Sequence, residues 1–218
     1  MTNVRNSMLR EQRQTVITES EFAEALYRAE QIPNEFLRLR ACAVLCLLRL
    51  TGKRRGEIAM LPLDNFKVEK GFLNITFILE KKRKGKVVQK TSKKSISLQH
   101  PLVKPILQYL EYLKGINAKF FLPQAKSVFG HIVVNPDKHI TGRQVFNIVR
   151  SCSETIWPHL FRETVASDII KEDSSIIAAF KVQRRLDLED FRTGFNYLRR
   201  YATDIIAKEE AKIQEKIA

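Results

Sequence analysis

Features that mark secreted, metal-binding or membrane-spanning proteins are scarce in this sequence. Three cysteines and four histidines occur among its 218 residues, and no group of them has the spacing of metal ligands. Cys42 and Cys46 lie in the apolar run over 41–48, where thiols behave as small hydrophobic side chains. We therefore expect neither a disulfide scaffold nor a metal site, and no cofactor.

Long apolar segments are absent as well. The N-terminus lacks the apolar core of a signal peptide, and the run over 41–48 is far too short to cross a bilayer. The sequence also contains no internal repeat and no low-complexity linker. It predicts a cytoplasmic protein without a signal peptide, a transmembrane segment or a membrane partner.

Acidic side chains are clearly fewer than basic ones. Lysine and arginine number 38 against 24 aspartates and glutamates, which leaves a formal net charge of +14. Apolar residues make up 44%, a globular rather than a disordered composition. The charge excess points to a polyanionic partner, in most cases nucleic acid. A ribosome-associated or merely basic protein would have the same composition.

The pattern of apolar positions predicts one mostly helical α+β domain with a small antiparallel three-stranded sheet. Residues 1–17 are polar and are expected to form a flexible arm, and 18–218 the domain. A capping-box pattern at Thr18–Glu21 opens the first helix. Alternation over 66–98 indicates the strands, and a loop with several glycines and prolines is expected over 115–136. Helices are predicted at 19–31, 35–50, 54–61, 103–113, 141–153, 158–171, 174–186 and 189–215.

The segment TGKRRGE at 51–57 contains the first candidate for a phosphate-binding site. A glycine turn that delivers Arg54 and Arg55 to the start of a helix suits an oxyanion, because backbone N–H groups and guanidinium groups both bind phosphate there. Arg54 and Glu57 are also spaced as an ordinary intrahelical ion pair. On its own, the segment favours the ion pair.

The second candidate is a basic stretch in the predicted hairpin. Lysines and arginines are concentrated between Lys81 and Lys94. A hairpin with this charge is suited to a phosphate backbone, with a strong dependence on salt. Lysines that protect an exposed sheet edge would give the same pattern. The net charge of the chain favours contact with nucleic acid.

Two further segments combine arginine with a titratable side chain. In WPHLFR, His159 and Arg162 lie on one face of a predicted helix and can together bind a phosphate. A lone histidine beside aromatic residues is more often only packed or a cap. In GFNYLRRY, Tyr197 and Tyr201 have arginines around them, an unusual setting for tyrosines that only fill a core.

In this order and spacing, the segments resemble the catalytic domain of the tyrosine recombinase (phage integrase) family, over roughly residues 18 to 215. The family's first box, T-G-x-R-x-x-E-[LI], is matched by TGKRRGEI at 51–58. Its second box, H-x-L-R-H-[TS], is matched by HLFRET at 159–164, where Phe161 replaces the leucine and Glu163 the second histidine.

The family's last box has histidine or tryptophan nine residues before the nucleophilic tyrosine. With Tyr197 as nucleophile that position is Leu188, and with Tyr201 it is Arg192, a poorer fit. Because Leu188 cannot donate a hydrogen bond, the resemblance implies a slow enzyme, or one that borrows a donor such as Lys181 or Arg185.

The resemblance implies an enzyme that breaks and rejoins DNA without a metal or a cofactor. Tyr197 would attack a phosphodiester, form a 3′-phosphotyrosyl intermediate and release a 5′-hydroxyl. Arg54 and Arg162 would bind the non-bridging oxygens, and His159 would donate a hydrogen bond or relay a proton. Glu57 would orient the first arginine box.

A hairpin lysine would protonate the leaving 5′-oxygen in this family. Lys84, at the expected hairpin tip, and Lys90, in a K-T-x-K run before the last strand, are equal candidates, with Lys82 behind them. Other basic residues around the two regions are expected to contact DNA, namely Arg55, Lys82, Arg83, Lys86 and Lys93.

The implied partner is double-stranded DNA, with localisation at the nucleoid and with integration or excision of a mobile element as the context. Self-association on DNA, as a dimer or tetramer, would use the last helix over 202–218, which can equally fold back. No N-terminal core-binding domain is expected, because the catalytic domain begins within about twenty residues. Two other functions stay open: a type IB-like topoisomerase, and an inactive basic DNA-binding protein of the same fold.

Overall fold

The computed structural model describes residues 16–83, 86–173 and 175–203, with the backbone alone at 80–83 and 86–89. Helix α1 (Glu19–Glu30) begins at the predicted capping box, where Glu21 N–H donates to the Thr18 hydroxyl and Thr18 N–H donates to the Glu21 carboxylate. Helix α2 (Glu35–Thr51) is the centre of the core, because its apolar run over 41–48 is buried along its whole length.

Helix α2 ends at Gly52, which has the left-handed φ of 61°. A Cβ atom at this position would lie 2.6 Å from Leu186 Cδ2, so a larger residue would be both strained and crowded. The short helix α3 (Arg55–Ala59) follows, with Arg54 at its N-cap. The predicted third helix is therefore shorter than expected but begins at the arginine box.

The predicted three-stranded antiparallel sheet is present. It contains β1 (Phe66–Glu69), β2 (Phe72–Arg83) and β3 (Lys86–Ser97) in the order β1-β2-β3. The register pairs Leu79 with Lys90, Phe77 with Ser92 and Ile75 with Lys94. Successive residues of a strand point to opposite faces, so Lys90, Ser92 and Lys94, spaced two apart, leave β3 on the same face.

One segment that was expected to be a loop is a β-hairpin. After α4 (Val103–Gly115), strands β4 (Pro123–Val128) and β5 (His131–His139) pair with each other. The loop prediction is wrong because Gly130 and the prolines do not interrupt this pair. Phe129 and Gly130 have positive φ values of 50° and 82°, which suit a two-residue hairpin turn, and a two-stranded sheet tolerates proline at its edges.

The remaining helices are α5 (Gly142–Cys152), α6 (Pro158–Glu172), α7 (Ile176–Leu186) and α8, which covers 191–203. Residues 204–215 of the predicted last helix, and the three residues after them, lie outside the described residues. Helix α6 joins two cores: Phe161 belongs to the main one, whereas Val165 packs with α7 and α8 in a second one. At the contact of α7 and α8, a Cβ on Gly194 would lie 2.5 Å from Ala179 O. The second core thereby fixes the position of the tyrosine helix.

The folded domain extends upstream of residue 18. Ile17, the last residue of the predicted arm, is buried, and its N–H donates to Thr164 Oγ1 at 2.8 Å. Residues 1–15 of the arm lie outside the described residues. Within the ranges that are described, no helix combines the length and the apolar character needed to cross a membrane.

Candidate active site

Arg54 lies at the N-cap of α3 with its side chain half exposed. The predicted contact with Glu57 is present, because Arg54 Nη1 donates to Oε1 and Arg54 N–H donates to Oε2, both at 3.0 Å. The Glu57 carboxylate therefore holds the backbone and the side chain of Arg54 together. This geometry agrees with the orienting role expected for Glu57.

Arg162 is buried, and two helix ends hold its guanidinium. Nη1 donates to Gly52 O at 2.9 Å, and Nη2 donates to Leu186 O at 2.5 Å. These carbonyls lie at the C-termini of α2 and α7, where the helix dipole favours a cation. Burial lowers the pKa of the Arg162 guanidinium, and the charge of Arg54 lowers it further. Arg54 and Arg162 are thus close enough to repel each other, and an anion bound between them would relieve this repulsion.

Glu163, the residue after Arg162, has a carboxylate that contacts four side chains. His159, one turn earlier on α6, is mostly exposed and places Nε2 3.1 Å from Glu163 Oε1. From α8, the Tyr197 hydroxyl donates to Oε1 at 3.4 Å and the Tyr201 hydroxyl donates to Oε2 at 2.7 Å. Arg200 Nη1 completes the cluster at 2.9 Å from Oε2.

The two tyrosines of α8 have different neighbours. Burial raises the pKa of Tyr197, and Glu163 adds to the rise while Arg162 opposes it. Burial also raises the pKa of Tyr201, where Glu163 adds to the rise and Arg200 opposes it. Tyr197 is therefore the phenol next to the buried arginine of the second box.

Arg54, His159 and Arg162 border a cleft of about 750 Å³. Its lining brings together the first box, the second box and Phe146 of α5, and includes Lys53, Arg54, Arg55, His159 and Arg162. Arg55, an expected DNA contact, places its guanidinium 5.9 Å from the centre of the Phe146 ring, and Arg143 lies 4.9 Å from the same ring. Arg143 was not singled out in the sequence, because no motif contains it. The cleft has the charge and size to bind a phosphodiester.

A sequence model of the phage integrase family matches residues 15–203. This chain belongs to that family. A search of curated proteins finds no match.

Solved structures of Xer recombinases have a similar fold. XerH site-specific recombinase bound to difH substrate, in a pre-cleavage complex, is 19% identical with a TM-score of 0.55, over 84% of this chain and 50% of XerH. XerA recombinase is 15% identical with a TM-score of 0.61, over 92% of this chain and 67% of XerA. Likeness at these identities establishes the tyrosine recombinase catalytic fold. This chain spans about half the length of XerH and two thirds of XerA.

A buried ionic cluster next to the cleft was missed by sequence reasoning. The Asp187 carboxylate accepts hydrogen bonds from Lys53 Nζ at 2.5 Å, from the Ser92 hydroxyl at 2.7 Å and from Lys94 Nζ at 3.3 Å. The cluster ties the first box and β3 to the C-terminus of α7. Only the positions of two lysines indicate this cluster in the sequence. Lys53 lies inside the first box, and Lys94 lies two residues after Ser92, on the face of β3 that contacts Asp187 (the inner face).

The hairpin lysines differ in the face of the sheet that they occupy. Lys90 is exposed and shares its face with Ser92 and Lys94, which contact the Asp187 cluster. Lys93 leaves the opposite face. Lys84 lies outside the described residues, as do the side chains of Lys82, Arg83 and Lys86.

The position expected for histidine or tryptophan in this family is filled by an apolar residue. Leu188 is partly buried and packs against the second core. The two residues considered as substitute donors have other partners: Lys181 Nζ donates to Asp173 at 2.7 Å, and Arg185 Nη2 donates to Leu50 O at 2.6 Å. Within the described ranges, no group of three or more His, Cys, Asp or Glu has the arrangement of a metal site.

Proposed function

We propose that this integrase family member is a site-specific DNA recombinase that cleaves one strand through Tyr197, forming a 3′-phosphotyrosyl bond and a free 5′-hydroxyl. One observation carries the proposal. Arg54 and Arg162, 108 residues apart in the sequence, border a single cleft with His159, and the Tyr197 phenol lies beside Arg162.

The contacts of each residue support its role. Arg54 and Arg162 bind the non-bridging oxygens of the phosphate, where negative charge develops in the transition state. Both guanidinium groups are held in advance, by Glu57 and by two helix C-termini, so little reorganisation is needed when DNA binds. His159, exposed at the cleft, donates a hydrogen bond to the phosphate.

A lysine of the β2–β3 hairpin protonates the 5′-oxygen as it leaves. Lys90 has support from its position on the inner face of β3, and Lys84 stays a second candidate. The basic residues of the hairpin and Arg55 contact the DNA backbone. The segment over 202–218 mediates self-association on DNA; most of it lies outside the described residues.

A covalent trapping assay tests the proposal. The protein is incubated with supercoiled plasmid and with nicked duplexes from which a cleaved strand end can diffuse away, and adducts that survive denaturation are counted. We expect an adduct with wild type and with Tyr201→Phe, and none with Tyr197→Phe. Loss of the adduct with Tyr201→Phe alone would refute Tyr197 as the nucleophile. Relaxation of plasmid by a monomer, without exchange between two duplexes, would indicate a type IB-like topoisomerase.

An inactive DNA-binding protein of the same fold is the second candidate, favoured by the apolar Leu188 and by the Glu163 carboxylate beside Tyr197. A carboxylate at this place repels the negative charge of a phosphodiester. Tight, salt-sensitive DNA binding with no adduct from any DNA would support this candidate.

A further inference from the structure

Glu163 divides its two carboxylate oxygens between two groups of residues. Oε1 faces the proposed chemistry, with the Tyr197 hydroxyl donating to it and His159 Nε2 3.1 Å away. Oε2 accepts hydrogen bonds from Tyr201 at 2.7 Å and from Arg200 at 2.9 Å. Oε2 is therefore held by Tyr201 and Arg200, whereas Oε1 meets the proposed nucleophile.

Neighbouring side chains stabilise the negative charge of the Glu163 carboxylate. The Glu163 side chain is 11% exposed, and burial alone would raise its pKa. Hydrogen bonds from His159 and Tyr201, together with the charge of Arg200, outweigh burial and leave the pKa lowered. The groups facing the carboxylate are thus His159 from α6 and Tyr197, Arg200 and Tyr201 from α8. At neutral pH it is ionised and can accept a proton.

We propose that Glu163 is the catalytic proton acceptor for Tyr197, an inference that rests on the proposed strand cleavage. As the Tyr197 oxygen forms its bond to phosphorus, the phenolic proton moves to Glu163 Oε1. The bond from phosphorus to the 5′-oxygen breaks, and that oxygen takes a separate proton from the hairpin lysine. Rejoining reverses both transfers, so the enzyme is unchanged over a full cycle.

Such an acceptor is needed because the phenol starts with a raised pKa. A carboxylate is a weak base toward a free phenol. The proton becomes far more acidic, however, once the oxygen is bonding to phosphorus, and a carboxylate serves as base for a hydroxyl nucleophile in protein kinases. Tyr201 and Arg200 contact Oε2, the oxygen that does not take the proton, so neither takes part in the transfer.

The test compares single-turnover cleavage rates of nicked duplexes for wild type, E163Q and Y201F. Glutamine keeps the shape of the side chain but takes up no proton, so E163Q should be slower by roughly 10²-fold or more. Y201F removes one donor from Oε2 and leaves Oε1 in place, so its rate should stay within about tenfold of wild type. An E163Q rate equal to wild type, or a Y201F loss as large as that of E163Q, would overturn the proposal.

A second substrate separates the two proton transfers. With sulfur in place of the bridging 5′-oxygen, the leaving thiolate needs no proton. Variants of the acid lysine should then recover, while E163Q should stay slow. Recovery of E163Q on this substrate would place Glu163 on the leaving-group side and refute the inference.

Two further measurements keep the outcomes distinct. If E163Q fails to fold, E163D replaces it: the shorter carboxylate should cleave more slowly than wild type while retaining its fall in rate toward acidic pH. An E163D rate equal to wild type would contradict the proposal. Absence of an adduct with wild type itself would instead refute the proposed function, independently of Glu163.

Discussion

Replacing Asp187, the C-cap residue of α7, by asparagine should strongly destabilise the domain. The carboxylate is the partner of Lys53 and Lys94, whose side chains are 1% and 8% exposed. Asparagine tolerates the left-handed backbone at this position, where φ is 50°, so the change removes charge without adding backbone strain. It leaves two buried ammonium groups without their counterion.

The magnitude follows from the cost of uncompensated buried charge. Removing one partner of a buried ion pair costs about 3–5 kcal/mol, and for a domain of this size each kcal/mol lowers Tm by roughly 2–4 °C. We expect Asp187→Asn to lower Tm by roughly 6–20 °C. Changing Lys94 to Met in the Asp187→Asn background should restore part of the loss, because it removes one of the unpaired charges.

The pH dependence provides an independent check. Burial by itself raises the pKa of Asp187, but hydrogen bonds from Lys53 and Ser92 outweigh it and leave the pKa lowered. A carboxylate with a lowered folded pKa stabilises the fold above its unfolded pKa, about 3.9, and loses that contribution as pH falls through the folded value. The stability difference between wild type and variant should therefore be full near neutral pH and shrink below about pH 4.

Thermal and urea unfolding, followed by circular dichroism, measure both effects. Asp137→Asn is the matched control, because Asp137 pairs with Lys119 at 2.7 Å and both side chains are largely exposed. This control should leave Tm unchanged within error. A folded Asp187→Asn protein with the Tm of wild type, or with the same deficit at pH 3 as at pH 7, would refute the reasoning.

Two other predictions concern the tyrosine helix and the hairpin. Gly194→Ala should lower Tm by several degrees and reduce adduct formation, because its Cβ would lie 2.5 Å from a backbone oxygen of α7; Gly115→Ala, which meets open space, should do neither. Lys90→Ala should slow cleavage of ordinary DNA by roughly tenfold or more and recover with a 5′-thiolate leaving group. Lys93→Ala, on the opposite face of β3, should weaken salt-dependent binding alone, and equal cleavage rates for the two lysine variants would exclude Lys90 as the acid.

Local patterns predicted most of the secondary structure. The capping box at Thr18, the apolar run of α2 and the alternation in β2 and β3 each depend on neighbours in sequence, and each element is present. The hairpin over 123–139 was missed because its strands contain prolines, and because the turn Phe129-Gly130 differs from the usual asparagine-glycine pair.

The candidate site was predicted as a set of residues but without their arrangement. The spacing of the boxes singled out Arg54, His159, Arg162 and Tyr197, and the structure places the first three at one cleft, with Tyr197 beside Arg162. Glu163 departs from the family pattern, which has histidine at this position. Its contacts with both tyrosines could not be foreseen, because they join α6 to a helix more than 30 residues further along.

The sequence by itself determined the family, the order of the helices and of the first three strands, and the residue types available for phosphate chemistry, because these depend on spacing along the chain. Only the tertiary structure decided that two helix C-termini hold Arg162, that Asp187 joins Lys53 to Lys94, and that Glu163 lies between Tyr197 and Tyr201. Those contacts connect segments that are far apart in the sequence, and no regular spacing of residues relates them. They arise from the packing of α6, α7 and α8 around a second core, a property of the folded domain rather than of any single segment.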